Sequence, residues 1–433
     1  MSSFRPGRLV GILVGTVVIL GIGVYGPATL LGPLPAVTAT TVTPPVGAAA
    51  PTPPVLPVNG ASAIAVVAAT TSDTSGTTSI GAGTGSTGAA EPIAVAGTAE
   101  ALPMASVAKV VTALVVLDFK PIVAGETGPI VDLTAADFQS YLDYDQIGAR
   151  SVAVFADEQW TELELLQALL LGSSNNHADT VARWAFGSVD AYVEAANTWL
   201  VENGLTGSAV VDATGLHDAS AGTATDLARL AGLAATDPIV SAILASPASA
   251  LANRRGVENT TSYLPEEGIT GISRSYTDAA GVCFLFTATV SDGASSFTFS
   301  GAFIGEPTYD DLSADVTALM ASARAGIGPL PVLAAGDTYA TFESAWGDEA
   351  AAVVGVSRTR YAWQATTPEA ATVTLKDFAT SRTGANVGQV RLTVAGEELS
   401  AALKLDQPIN DPGTGWRLLH PVMMITALLD SRS

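Results

Sequence analysis

Three scarcities frame this 433-residue chain: one cysteine, four lysines, and no charged side chain between Arg8 and Asp73. The lone Cys283 excludes an internal disulfide framework and a clustered thiolate metal site, and it reads as a small buried hydrophobe. Basic residues are outnumbered, with 19 Lys plus Arg against 41 Asp plus Glu and a net charge of -22, which argues against a nucleic-acid partner. The sequence also lacks an internal repeat and a Gly-rich phosphate loop. His217 stands in a Gly-containing turn with no second ligand nearby, and His177 follows a polar loop where it can cap or pack. No metal or cofactor is expected.

The charge-free N-terminus contains an apolar run of 17 residues, Leu9 to Tyr25, preceded by Arg5 and Arg8. A bilayer core asks for about 20 apolar residues, so the run reads as a short transmembrane helix with its N-terminal end in the cytoplasm. A cleaved signal peptide is the competing reading, with Val37-Thr38-Ala39 at a small-residue cleavage position. Both readings export the remainder, either as a single-pass protein of the cell membrane or as a secreted one.

Four segments are expected: a cytoplasmic tip and anchor over 1–32, a Pro/Ala/Thr-rich linker over 33–57, a large domain over 58–328, and a small β-rich domain over 329–433. Eight prolines from Pro33 to Gly60 keep the linker extended and predict no packed element there. Strands are predicted over 61–69 and 92–97, joined by a Ser/Thr/Gly-rich loop. Helical patterning covers 106–119, 161–171, 176–186, 189–203 and 225–233, several with polar caps. A hairpin at 281–290 and 296–304 precedes a helix at 309–325. Strands at both ends and helices between them predict an α+β fold: an antiparallel sheet covered by helices, with the first strand pairing late. Past Pro329 and Pro331, short apolar runs alternate with turns and predict a small all-β domain.

With so few lysines, a chance S-x-x-K is improbable, yet Ser106-Val107-Ala108-Lys109 opens an apolar helical run. Residues three apart share a helix face, so the amine can reach the hydroxyl. A serine hydroxyl needs a nearby base, and a lysine serves when burial lowers its pKa. The bland reading is an N-cap serine beside an incidental lysine. Ser173-Ser174-Asn175-Asn176 could likewise be an ordinary helix-capping loop, although a hydroxyl and an amide suit proton relay and carbonyl binding.

Pro103 to Leu114, Leu169 to Asp179, Gly215 to Asp218 and Thr223 to Ala228 together resemble the D-alanyl-D-alanine carboxypeptidases among low-molecular-mass penicillin-binding proteins. The resemblance extends over about 58 to 421, and Trp416 to Pro421 resembles the closing segment of the C-terminal β-domain in actinobacterial-type members. It implies the penicillin-binding, β-lactamase-like transpeptidase fold, with helices on both sides of the sheet. It also implies Ser106 as acylated nucleophile, Lys109 as its base, and Ser173 and Asn175 as the S-x-N pair. The implied partners are a peptidoglycan stem peptide ending in D-Ala-D-Ala and β-lactams as covalent ligands.

The family's K-T-G strand is where this chain departs. Aligning Thr277 to Cys283 on the following strand puts Ser273-Arg274-Ser275 on K-T-G, with Tyr276 next as an expected backbone oxyanion donor. A second register, Ile269-Thr270-Gly271, also lacks the cation. Two readings follow. Either Arg274 supplies the charge from the neighbouring position, or the fold persists as a wall-binding or regulatory module with little turnover. Adjacent strand residues face opposite sides, which counts against Arg274. A β-lactamase shares the S-x-x-K opening but needs a deacylating carboxylate, and no glutamate between Ser173 and Gly271 has a convincing motif.

Overall fold

The computed structural model describes residues 13–16, 18–19, 23, 25–43, 52–71, 78–81, 92–245, 247–251, 256–292, 295–363, 371–394 and 397–431. Most of the predicted membrane run lies outside them. Among the described residues no single helix is long and apolar enough to cross a membrane. Two compact units form: Ala50–Leu330 with Arg360–Gln364, and the remainder.

In the larger unit, alternation of apolar and small residues builds an antiparallel sheet. The strand Ala61–Thr71 pairs with Ser296–Glu306, which continues through Gly281–Ser291 to Ile269–Thr277 at the edge. The first strand thus pairs with one formed more than 200 residues later, as predicted. On its other side it pairs with both Pro92–Gly97 and a short strand, Thr78–Gly81, that the expected loop did not include.

Each face of the sheet buries a different core. On one face Phe284, Phe286, Phe299 and Phe303 pack with Leu312, Val316 and Met320 of the helix Tyr309–Gly326. On the other lies the helical cluster built around Ala108–Phe119, whose residues from Ala108 to Leu117 are all buried. A helix apolar on every side belongs in the middle of a bundle. It is flanked by Glu162–Leu171, Asn175–Phe186, Val189–Glu202 and Ala224–Thr236. Thr161 caps the first of these through a capping box with Glu164, and Ser188 and Thr223 cap the last two. A further helix, Ala135–Gln146, escapes the hydropathy pattern because most of its surface is polar; it is marked by a capping box between Thr134 and Asp137.

The smaller unit corrects two expectations. Thr38–Thr41, inside the supposed spacer, is an edge strand on Thr338–Glu343. Its Thr-Ala-Thr-Thr sequence is β-branched and free of proline, so an already extended backbone can join a ladder. The six-stranded sheet continues through Glu349–Val354, Glu397–Leu405, Asn386–Val394 and Thr372–Leu375. This unit is not all-β, because Gly413–Leu419 and Pro421–Asp430 are helices, the second started by Pro421. Both pack on a short helix, Gly26–Leu30, and Tyr25 donates to the Leu418 carbonyl.

Leu169 is wholly buried in the helical core just before the polar loop at 172–174. Leu169→Ala is expected to lower stability by about 2–5 kcal/mol, read from the shift in thermal or denaturant unfolding.

Candidate active site

Ser106 sits in a single 3₁₀ turn, Ala105–Val107, that feeds the buried helix Ala108–Phe119. Lys109, one turn on, is 2% exposed and its Nζ lies 2.8 Å from Ser106 Oγ. The amine also donates to the Thr214 carbonyl at 3.0 Å. Burial away from water lowers the Lys109 pKa from 10.5 to about 7, with Asp212 opposing that shift and Arg150 assisting it. An amine with that pKa is substantially neutral at pH 7 and can take the serine proton.

The turn carrying Ser106 is strained and clamped. Ala105 has φ 46°, a left-handed conformation uncommon for a residue with a Cβ. Its carbonyl lies so close to Gly215 that a Cβ there would stand 1.8 Å from the oxygen. The Gly215-Leu216-His217 stretch is therefore a brace for the nucleophile turn, and the preceding Thr214 supplies the carbonyl that holds Lys109. Asp212 secures this brace by accepting from the Thr214 and Ser220 hydroxyls and from the Leu216 N–H. The His217 ring only caps its own turn, accepting from the Ala219 N–H.

The polar loop divides its residues by role. Ser173, also left-handed at φ 50°, lines a small cavity with Ser106, Lys109, Thr261, Ile272, Ser273 and Arg274. Asn175 is buried with its side-chain oxygen unpartnered, and its N–H donates to the Arg150 carbonyl. The interleaved residues hold the loop. Ser174 bonds to Asn176 and to His177 Nδ1, and Asn176 exchanges two hydrogen bonds with the Val152 backbone. His177 packs against Trp160, with ring centroids 4.8 Å apart, and among the described residues no cluster of His, Cys, Asp and Glu could hold a metal ion.

The edge strand Ile269–Thr277 supplies the remaining wall. Its register pairs Ser273 with Leu285 and Ser275 with Cys283, on the face shared with the helical core and the nucleophile. Arg274 pairs with Phe284 and so faces the opposite, aromatic side. Its guanidinium lies 4.9 Å from the Tyr263 ring and 5.7 Å from the Tyr309 ring, and donates to the Thr260 carbonyl. Arg274 borders the cavity, while its guanidinium lies against the two tyrosine rings and the Thr260 carbonyl on the other side of the strand. Ser275 is buried with an unpartnered hydroxyl, whereas Tyr276 is exposed and donates to Asp278. Gly271 lets the neighbouring segment close on this strand: a Cβ there would stand 2.0 Å from the Thr261 carbonyl oxygen.

Residues 93–295, which contain every residue lining the small cavity, match the family model described as D-alanyl-D-alanine carboxypeptidase. The part of the larger unit that holds the site thus matches that family. A relative from Pseudomonas aeruginosa named D-alanyl-D-alanine endopeptidase is 26% identical over 239 residues, covering 52% of this chain and 74% of that protein. Penicillin-binding protein 5 from Haemophilus influenzae shares the fold with a TM-score of 0.54 at 18% identity, covering 86% of this chain and all of the other. A peptidoglycan synthesis regulatory factor, PBP3, from Streptococcus pneumoniae gives a TM-score of 0.54 at 18% identity, covering 81% and 99%.

Within this site, the Thr214 carbonyl, Asp212, Thr261 and Arg150 leave no motif in the sequence. Only the Gly215 stretch left a signal, and its catalytic relevance comes from a tertiary contact. Gly215→Ala is expected to displace the Ser106 turn, lowering both the melting temperature and the rate of covalent labelling by a fluorescent penicillin.

Lys109 carries a stability cost of definite sign. Its folded pKa lies below its unfolded value, so between about pH 7 and pH 10.5 the unfolded chain binds the extra proton and stability rises with pH. At pH 7 and below the full penalty applies. Lys109→Met should therefore melt higher than the parent at pH 7, with the difference shrinking towards pH 10.

Proposed function

We propose that this chain is a serine-type D-Ala-D-Ala carboxypeptidase that shortens peptidoglycan stem peptides through an acyl-enzyme on Ser106. The observation that carries the reading is the contact of 2.8 Å between Ser106 Oγ and the buried, low-pKa Lys109 amine. Neutral Lys109 takes the hydroxyl proton as Ser106 attacks the carbonyl of the penultimate D-Ala. The proton then passes to the departing D-Ala nitrogen, with the Ser173 hydroxyl, which lines the same cavity, as its relay. The free oxygen of Asn175 accepts from a substrate amide, and N–H groups at the start of the nucleophile helix face the developing oxyanion. Water then releases the shortened peptide and restores Ser106. A β-lactam, whose strained amide mimics the scissile bond, acylates the same hydroxyl.

A second reading, a stem-peptide-binding module with little turnover, is favoured by one observation. Ser273 occupies the lysine position and Arg274 turns to the other face.

Localisation at the outer face of a membrane is part of the proposal. The apolar N-terminal run supports it, as does the helix Pro421–Asp430, which exposes Val422, Met423, Ile425 and Leu429 next to Gly26–Leu30. These residues offer an apolar surface beside the segment proposed to enter the bilayer.

The test is covalent labelling with a fluorescent penicillin, followed by release of D-Ala from a stem-peptide mimic. Ser106→Ala should abolish the adduct, and Lys109→Met should slow its formation by roughly 10²–10⁴-fold. In the parent the acylation rate should rise with pH to a plateau, with its midpoint near 7, because the neutral amine is the base. A stable adduct without D-Ala release would select the binding module. Rapid hydrolysis of the adduct would indicate a β-lactamase, and no adduct in folded protein would sink the acyl-enzyme reading.

A further inference from the structure

The strand that should present a cation to the substrate's terminal carboxylate presents two serines instead. Ser273 and Ser275 are both buried on the nucleophile's side, and neither carries charge. The one arginine of the strand is stacked on tyrosines across the sheet. An acid-terminated peptide entering this cleft must find its counter-charge on another element.

Among the described residues, Arg150 is a guanidinium that the fold brings to this place. It lies just before the loop residues that lead to Trp160, and its backbone carbonyl accepts from the Asn175 N–H, which fixes it beside the S-x-N loop. Its side chain reaches across to the other wall, where Nη1 donates to the Thr260 hydroxyl at 3.2 Å. Thr261, the next residue, lines the cavity together with Ser106. Arg150 therefore spans the cleft mouth between the two elements that hold a substrate. It is close enough for its charge to bear on Lys109. The guanidinium is exposed, and among the described residues no carboxylate pairs with it. Four of its five N–H donors are thus available for a planar anion.

We infer that Arg150 is the residue that anchors the C-terminal carboxylate of the peptide substrate in this chain, taking over from the missing strand lysine. The inference rests on the carboxypeptidase reading for the identity of the peptide, but the recognition it describes precedes acylation. A fork of two N–H donors matches a carboxylate in a way that a serine hydroxyl cannot. The anchor also has a consequence for specificity: peptides whose C-terminus is amidated are poor ligands, because they leave the guanidinium without its counter-charge.

The experiment uses the full-length chain and a stem-peptide mimic ending in D-Ala-D-Ala, prepared as the free acid and as the C-terminal amide. Binding of each is measured by calorimetry for the parent, Arg150→Ala, Arg150→Lys and Arg274→Gln. Penicillin acylation of the same four proteins is followed by intact mass. The parent should prefer the acid, and Arg150→Ala should weaken acid binding by roughly 10- to 100-fold, the range for charge-assisted hydrogen bonds, while leaving amide binding unchanged. Arg150→Lys should recover part of the preference, because it keeps the charge and loses the fork. Arg274→Gln should retain it. A folded Arg150→Ala protein that still prefers the acid overturns the inference, as does a parent with no preference. An intact, Arg150-dependent preference without Ser106 acylation would uphold the anchor and reject the acyl-enzyme reading, so the two failures are distinguishable.

Discussion

The site depends on one contact: the Lys109 amine, sealed from water, held between the Ser106 hydroxyl and the Thr214 carbonyl. Burial of an ammonium is costly, and the shift from 10.5 to about 7 corresponds to roughly 5 kcal/mol between the two protonation states. The surrounding fold must supply that free energy, and it does so by placing the S-x-x-K helix at the centre of the largest apolar cluster. A peripheral helix would leave the same four residues hydrated and the lysine protonated. On the proposed reading, the burial of Ala108–Leu117 on every side thus serves catalysis as well as packing.

The second requirement is geometric. Two of the segments that border the cavity pass through left-handed residues with side chains, Ala105 and Ser173. Such conformations cost of order 1–3 kcal/mol each and persist only where neighbours leave no alternative. At Ala105 the constraint is the Gly215 backbone pressed on its carbonyl. At Ser173 it is the network of Ser174, Asn176 and His177, which fixes the loop from behind. In both places residues with no chemical role hold the chemical ones.

Much of this was legible in the sequence because it depends on local spacing. S-x-x-K needs only the helical period, the 281–291/296–306 hairpin needs only alternation and a turn, and the late-pairing first strand follows from the order of elements. The unread parts are contacts between distant segments. The Lys109–Thr214 bond joins residues 105 positions apart, and the Gly215 and Gly271 clearances exist only once two backbones meet. Thr38–Thr41 was hidden by the prolines around it, and Ala135–Gln146 by its polar surface. The C-terminal helices were hidden by the strand-like runs before them.

Arg274 illustrates how far alternation alone can carry a functional argument. Period two put Ser273 and Arg274 on opposite faces, and the register with Leu285 and Phe284 now identifies which face is which. Once Arg274 belongs to the aromatic side, the charge deficit at the cleft follows from topology, since the only described lysines in the larger unit are Lys109 and Lys120. Lys109 is consumed by the nucleophile. Lys120, at the far end of the same helix, lies 5.0 Å from the Trp184 ring, more than two turns from Ser106. On the proposed reading the anchoring charge comes from an arginine on an element that touches both S-x-N and the 260–261 segment, and among the described residues Arg150 does so through its carbonyl at one end and its guanidinium at the other.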